Sequence, residues 1–208
     1  MKAAVEDILS QCRPKIKALL RTRSHYDTNT LIQQFKTHIW GIIESRIGAI
    51  FHAASSHLQR LDSMQRGFLQ ELDLDESIAF LQFNFAPPCL RRDIAMLGFF
   101  HKRVPGQAHP AIEQLLPMHS DLFTIAAPGH TKRIHNQHEK IRFQTALFQR
   151  SIFGHIDVYN ALPQHVVDHQ DGVSFQALLT QIAKTECQQH KLFWQHRFSS
   201  RQFVATLD

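Results

Sequence analysis

The stretch "LIQQFKTHIWGIIESRI", residues 31–47, shows the pattern that decides the fold. Its apolar residues recur at intervals of three and four, which is the period of one face of an α-helix. Asp27 or Thr28 can cap such a helix at its N-terminus. The same period appears on both sides of this stretch. We therefore predict helices over residues 3–22, 28–52, 56–70, 89–103 and 174–187.

Strand signals are few and the chain has no internal repeat, so the predicted fold class is mainly α. We expect an irregular helical bundle with a long loop around residues 117–145, where His, Gly and Pro interrupt the helical period. An isolated β-bridge is compatible with the composition of that loop. Six residues in the helical stripes are predicted to be buried: Ile39, Ile43, Leu61, Phe68, Ile94 and Leu97.

Composition narrows the class of protein. The chain has 208 residues, of which 43% are hydrophobic and 20% charged, which is typical of a globular protein and not of a disordered chain. No apolar run approaches the roughly 18 residues that suggest a membrane span, so no membrane partner is expected. The three cysteines, Cys12, Cys89 and Cys187, are odd in number and far apart. That pattern is typical of reduced thiols in a cytoplasmic or nuclear protein.

Clustered positive charge is the main functional signal. The net charge is +5 with histidines counted as neutral, and residues 13–23, "RPKIKALLRTR", hold five cations and no acid: Arg13, Lys15, Lys17, Arg21 and Arg23. On a helix, the spacing of four places Arg13, Lys17 and Arg21 along one side. Such a row suits the phosphates of a nucleic acid. A merely solvated helix face has the same appearance, and the residues alone leave both interpretations open.

A second basic element is "RRDIAMLGFFHKRV", residues 91–104. Its middle is apolar and predicted to be core, with Ala95 and Gly98 allowing a close neighbour. Its ends carry four cations, of which the first pair opposes the helix macrodipole and the second pair suits it. These cations are either solvated ends of a buried helix or anion contacts: Arg91, Arg92, Lys102 and Arg103.

Four blocks of the sequence, in order, resemble a known family. They are "PKIKALLRTRSHYDTNTLIQQFKTHIWGIIESRIGAIFHA", "HLQRLDSMQRGFLQEL", "LQFNFAPPCLRRDIAMLGFFHKRVPGQAHPAIEQLLP", and "RSIFGHIDVYNALPQHVV" followed by "SFQALL". Together they are similar to the C-terminal region, thumb and post-thumb, of non-LTR (LINE-type) retrotransposon reverse transcriptases. The order of the four blocks carries the resemblance, which covers most of residues 13–180.

The resemblance implies an organisation and a task. Residues 1–116 would form a thumb-like helical bundle, and residues 117–208 a loop and helical segment packing on it. A thumb grips RNA, DNA or an RNA–DNA hybrid by its phosphate backbone and does not recognise base sequence. The nine cations named above are the expected contacts.

The resemblance also implies what is missing. In the family, polymerisation depends on palm carboxylates, including an aromatic-any-Asp-Asp turn that binds two metal ions. The sequence has no such turn, so we expect no catalysis by this chain and no cofactor. A second interpretation keeps the helical bundle but makes it a protein–protein interaction module, which docks on a reverse transcriptase palm domain or on a second copy. A non-functional remnant of a retroelement is a third.

Histidines and serines suggest weaker sites. Three histidines near Glu139 have a spacing compatible with a metal site, but no cysteine lies nearby: His130, His135 and His138. His165 and His169 are expected at the surface. Ser151 and Ser174 lack a nucleophile-elbow motif and are interpreted as helix caps.

The end of the chain interleaves aromatic and basic residues. Aromatic side chains among cations can stack on single-stranded bases, or the segment can fold back onto the bundle. The residues concerned are Phe193, Trp194, Phe198 and Phe203, among Lys191, Arg197 and Arg201.

Overall fold

The computed structural model describes residues 1–118, 131–136 and 146–201, and it is mainly α, as predicted. The α-helices are α1 (Lys2–Arg21), α2 (Thr28–Phe35), α3 (Gly41–Glu44), α4 (Ile47–Ile50), α5 (Ser55–Glu71), α6 (Glu76–Phe83), α7 (Pro88–His101), α8 (Pro110–Leu115), α9 (Ala146–Gln149), α10 (Ile152–Asn160), α11 (Gln164–Val167) and α12 (Gly172–Gln188). Lys36–Trp40 forms a π-helical turn and Trp194–His196 a 3-10 turn. Met118 and Ile134 form an isolated antiparallel bridge. Within the described ranges, no helix is long and apolar enough to cross a bilayer.

Two predicted helix boundaries differ from the structure. The helix predicted over 28–52 is interrupted by the π-helical turn and again at Arg46 (φ −116°, ψ 6°), whose guanidinium pairs with Asp7 of α1. The prediction that Ser174 caps the last helix, α12, is wrong. The Asp171 carboxylate accepts from the Ser174 backbone N–H at 2.8 Å, so α12 begins at Gly172. Ser151 does cap α10, and Asp27 caps α2.

Contacts divide the chain into two compact units. The first unit is Met1–Arg92 with Ala183–His196, and the second unit is Asp93–Ile182 with Arg197–Asp208. The predicted division lies between residues 116 and 117, whereas the first unit ends at Arg92 and takes in residues 183–196, which include the end of α12. There Trp194 stacks on Phe80 with ring centroids 5.1 Å apart, a pairing across more than a hundred residues that local patterns do not reveal.

The first unit has an aromatic core with one buried amide. Phe35 lies between Phe68 and Phe85, with ring centroids 4.6 and 5.1 Å away. Trp40 stacks on Phe85, and its indole N–H donates to the Gln65 side chain at 2.9 Å. The buried Gln65 amide donates in turn to the Ala86 carbonyl at 3.0 Å. The predicted core residues of this unit are buried: Ile39, Ile43, Leu61 and Phe68.

The second unit is built around buried histidines. The ring of His101, at the end of α7, stacks on Phe175 at 3.9 Å and lies 3.1 Å from the Tyr159 hydroxyl. Gly98 is the close-approach position that its sequence suggests, because a Cβ there would lie 2.1 Å from the Gln176 side chain of α12. Ile94 and Leu97 are buried, which confirms the last two predicted core residues.

Candidate nucleic-acid interface

The basic face of α1 is exposed. α1 buries one side, including Ile8, Cys12 and Ile16, and packs against α5. The opposite side carries Arg13, Lys17 and Arg21, whose Cα atoms follow one another at about 6 Å along the helix axis. We call these three residues the α1 row. Lys15 is also exposed, on the other edge of the polar face.

No carboxylate from the described residues forms an ion pair with the α1 row or with Lys15. The two acids of α1 itself are engaged elsewhere. Arg60 of α5 pairs with Glu6 and holds the pKa of that carboxyl below its ordinary value, while Arg46 pairs with Asp7. The C-terminal half of α1 is therefore a rigid, exposed surface with positive charges only.

Arg23 lies just beyond α1 and forms an exposed ion pair with Glu71. Its guanidinium donates to the Glu71 carboxylate at 2.6 Å and to the Glu71 carbonyl at 3.1 Å. Both side chains are about half exposed, at 51% and 55%. Exposed pairs of this kind contribute little to stability, so a phosphate can compete for Arg23 at low cost.

Arg91 and Arg92 lie where a nucleic acid has poor access. The Arg91 guanidinium sits 3.6 Å from the centre of the Trp40 ring and pairs with Glu44. Arg92 is 5% exposed and binds both carboxylate oxygens of Asp62, at 2.8 and 3.0 Å. These contacts explain why two arginines occupy the N-terminus of α7 against its macrodipole. Their placement argues against a role in phosphate binding.

The C-terminal cations of α7 belong to the second unit and differ from each other. Lys102 is exposed. Arg103 is half-buried and donates to the Leu116 carbonyl at 3.1 Å and to Glu113 at 3.3 Å. Lys102 thus remains a candidate contact, and Arg103 has a structural role in joining α7 to α8.

The histidine-based metal site is not supported by the described residues. His130, His138 and Glu139 lie outside them, and His135 is exposed. Within the ranges that the structure describes, no group of three or more His, Cys, Asp or Glu side chains could hold a metal ion. His165 and His169 are exposed, as predicted.

Part of the aromatic segment near the C-terminus is buried. Trp194 and Phe198 are buried, so neither ring is available to stack on a base. Phe193 is 53% exposed and Leu192 86% exposed. Phe203 lies outside the described residues. Folding back is therefore the correct interpretation for two of the four aromatic residues.

Sequence patterns missed the partners that decide which cations are available. Asp62 and Gln65 belong to the block "HLQRLDSMQRGFLQEL", whose sequence indicates no partner for either of them. In the structure Asp62 binds Arg92 and Gln65 connects Trp40 to Ala86. The only signal in the sequence was that an acid, Asp62, and an amide, Gln65, lie close to the apolar stripe of this helix, where polar side chains need buried partners.

No protein-family model, no curated protein and no solved structure matches this chain. The likeness to retrotransposon reverse transcriptases therefore depends on the four sequence blocks, and what it implies for function is a proposal.

Proposed function

We propose that this chain is a non-catalytic helical module that binds the phosphate backbone of RNA, DNA or an RNA–DNA hybrid without sequence preference. One observation carries the proposal: the α1 row and Lys15 are exposed and without ion pairs in the described structure, whereas most described arginines elsewhere pair with carboxylates. The paired arginines are Arg23, Arg46, Arg60, Arg66, Arg91, Arg92 and Arg103.

Physical chemistry supports α1 as the contact surface. Phosphate contacts need cations held on a rigid support, and they position a protein on the backbone without selecting a sequence. α1 is rigid because Ile8, Cys12 and Ile16 are packed in the core of the first unit. The four blocks that resemble a polymerase thumb support the same task.

The salt dependence of binding tests the proposal quantitatively. Each phosphate contact contributes a slope of about −0.9 to the plot of log affinity against log salt on duplex DNA, and about −0.7 on single strands. We expect replacement of Arg13, Lys17 and Arg21 by alanine to reduce the slope by nearly one for each contact. The affinity of all sequences should fall about equally. Titration of a labelled duplex and a labelled single strand at two salt concentrations measures both effects.

A control variant that loses the same number of positive charges elsewhere distinguishes the loss of specific contacts from a general effect of net charge. Arg66 and Lys191 are exposed cations of the first unit that lie outside α1, and their double replacement is matched to the Lys17→Ala/Arg21→Ala variant. Their replacement by alanine should leave the slope close to that of the wild type. Equal weakening in the two double variants would mean that only net charge matters. Unchanged affinity in the α1 variant, or no binding by the wild type at low salt, would contradict the proposal.

We expect no polymerase or nuclease activity from this chain with magnesium or manganese. The sequence has no aromatic-any-Asp-Asp turn, and this turn holds the catalytic metal ions in the family that the chain resembles. Template-directed nucleotide incorporation by the purified protein would contradict the non-catalytic part of the proposal.

One observation favours a second function, a protein–protein interaction module. Leu192 and Phe193 are neighbours, both are exposed, and Phe193 has a φ of 61°, which is unfavourable for a bulky residue. Two exposed apolar side chains on a strained turn suit an apolar partner surface. Self-association that is lost in the Leu192→Ser/Phe193→Ser variant would support this function.

A further inference from the structure

The second unit contains a cavity of about 750 Å³, lined by residues of α9, α10, α12 and the segment 197–200. Ligand pockets run from roughly 300 to 1,000 Å³, whereas voids inside protein cores rarely exceed a water molecule. The larger apolar side chains of its lining are Phe148, Val158, Leu162, Ile182 and Phe198. The size and the lining fit a small molecule with an apolar body.

The wall of this cavity is held by close packing and hydrogen bonds. A Cβ on Gly154 would lie 2.4 Å from the Phe148 carbonyl oxygen, so the residues of α9 rest directly on the backbone of α10. The Ser200 hydroxyl donates to the Gln149 carbonyl at 2.7 Å. It also lies 3.3 Å from Nδ1 of the buried His155. Three segments of the chain are thus tied together around the cavity, which makes it a preformed site.

The ionisable side chains of the lining favour an anionic head group. Arg197 and His165 are exposed, and Asp157 is half-buried with an oxygen 3.5 Å from the Asn136 amide nitrogen. An arginine has five N–H donors, so it can take up a carboxylate in addition to other contacts. The exposed charged side chain of the lining is therefore Arg197, next to an apolar interior.

We propose that this cavity binds a small carboxylate amphiphile, with its apolar body among Phe148, Val158 and Leu162 and its carboxylate at Arg197. The site is independent of the α1 row and of the function proposed for it. The chemistry is that of a medium-chain fatty carboxylate or a molecule of similar length and charge.

Calorimetric titration of the full chain with octanoate, decanoate and dodecanoate, below their micellar concentrations, tests the apolar part. Each added methylene should tighten binding by about fourfold until the cavity is filled. Decan-1-ol should bind more weakly than decanoate, because it lacks the charge. No binding by any of the three carboxylates, or no dependence on chain length, would overturn the proposal.

Matched variants test the location. Val158→Trp should fill the cavity and weaken decanoate binding at least tenfold. Val173→Trp makes the same change at a residue that is 75% exposed and outside the lining, and it should bind like the wild type. Arg197→Gln should weaken decanoate binding about tenfold and leave decan-1-ol binding unchanged.

The remaining outcomes are also decisive. If Val158→Trp does not fold, the chain-length series on the wild type and the Arg197→Gln comparison still decide. Equal loss in Val158→Trp and Val173→Trp would mean that the ligand binds elsewhere. Replacement of the α1 row should leave decanoate binding unchanged, so the failure of one proposal is distinguishable from the failure of the other.

Discussion

α1 and α7 are both basic helices in the sequence, but the structure uses their cations differently. In α1, the row of Arg13, Lys17 and Arg21 is exposed and meets no carboxylate in the described part of the chain. In α7, Arg91 and Arg92 are held by Glu44 and Asp62. A run of cations therefore becomes a binding surface only where the tertiary fold brings no acid against it.

The acids that pair with the arginines of α7 come from distant positions in the sequence. Asp62 precedes Arg92 by 30 residues, and Glu44 precedes Arg91 by 47. Both acids lie on helices whose other residues form the core of the first unit. The charges of α7 thus serve the packing of that unit, while those of α1 remain available to a ligand.

The largest expected effect is on the buried pair of α7. Arg92→Ala leaves the Asp62 carboxylate, which is 15% exposed, without its bidentate partner. Breaking a buried pair on one side costs about 3–5 kcal/mol of the free energy of unfolding. Urea unfolding followed by circular dichroism measures the loss. Arg21→Ala, the control on α1, should change stability by less than about 0.5 kcal/mol. A loss under about 1 kcal/mol in Arg92→Ala would remove the distinction between the two helices.

The next effect concerns pH, because three histidines that contact or lie near residues of α7 are disfavoured as cations by burial. The pKa of His101 is lowered, and burial lowers the pKa of His155 and of His196 from 6.5 to about 4. His155 Nε2 lies 3.4 Å from the Asp93 carbonyl of α7, and His196 is near Arg92.

Below pH 6.5 the unfolded chain binds protons at histidines that stay neutral in the folded protein, so a falling pH favours unfolding. The stability that these histidines contribute is therefore fully present above pH 6.5. It is lost as the pH falls toward 4, by about 3 kcal/mol for the fully buried His155. Urea unfolding at a series of pH values should show this slope, and His155→Phe should flatten it. The variant without the α1 row should keep the wild-type slope, since it leaves all three histidines and their contacts in place. A slope that is unchanged in His155→Phe would contradict the assignment.

Proline makes a third contrast. Pro14 lies inside α1, whereas Pro88 is the first residue of α7, where proline is well tolerated. We expect Pro14→Ala to stabilise the protein by about 2 kcal/mol, the helix-interior cost of proline less its restriction of the unfolded chain. Pro88→Ala should instead cost about 1 kcal/mol. Thermal unfolding of both variants measures the difference, and equal effects would contradict the contrast.

A smaller effect is expected at Arg91. Its guanidinium packs on the Trp40 ring and pairs with the half-exposed Glu44. Arg91→Ala should lose about 1–2 kcal/mol and alter the fluorescence of Trp40. Arg91→Lys should recover only part of the loss, since an ammonium lacks the planar guanidinium that stacks on the ring. Full recovery with lysine would mean that charge alone holds this contact.

The smallest effect on stability belongs to the α1 row. Alanine at Arg13, Lys17 and Arg21 should change the free energy of unfolding by less than about 0.5 kcal/mol at each position, because these side chains make no described ion pair. The same variant should lose nucleic-acid binding. A large loss of stability would show that the row has a structural role, as the arginines of α7 do.

Much of the fold was predictable because it depends on local periodicity. The stripes at 3–22, 56–70 and 89–103 agree with α1, α5 and α7 within a few residues. Helix ends were less predictable. Asp171 caps α12 in place of Ser174, since several neighbouring side chains could have capped that helix and the geometry of the turn selects one.

By itself the sequence determined that the chain is helical, which side of each helix is apolar, and where positive charge is concentrated, because these properties repeat over one or two helical turns. Only the tertiary structure decided which cations stay free of carboxylates. It also decided that residues 183–196 belong to the first unit, with Trp194 stacked on Phe80. The physical reason is that ion pairs and ring stacking depend on residues far apart in the chain, whose meeting no local period encodes.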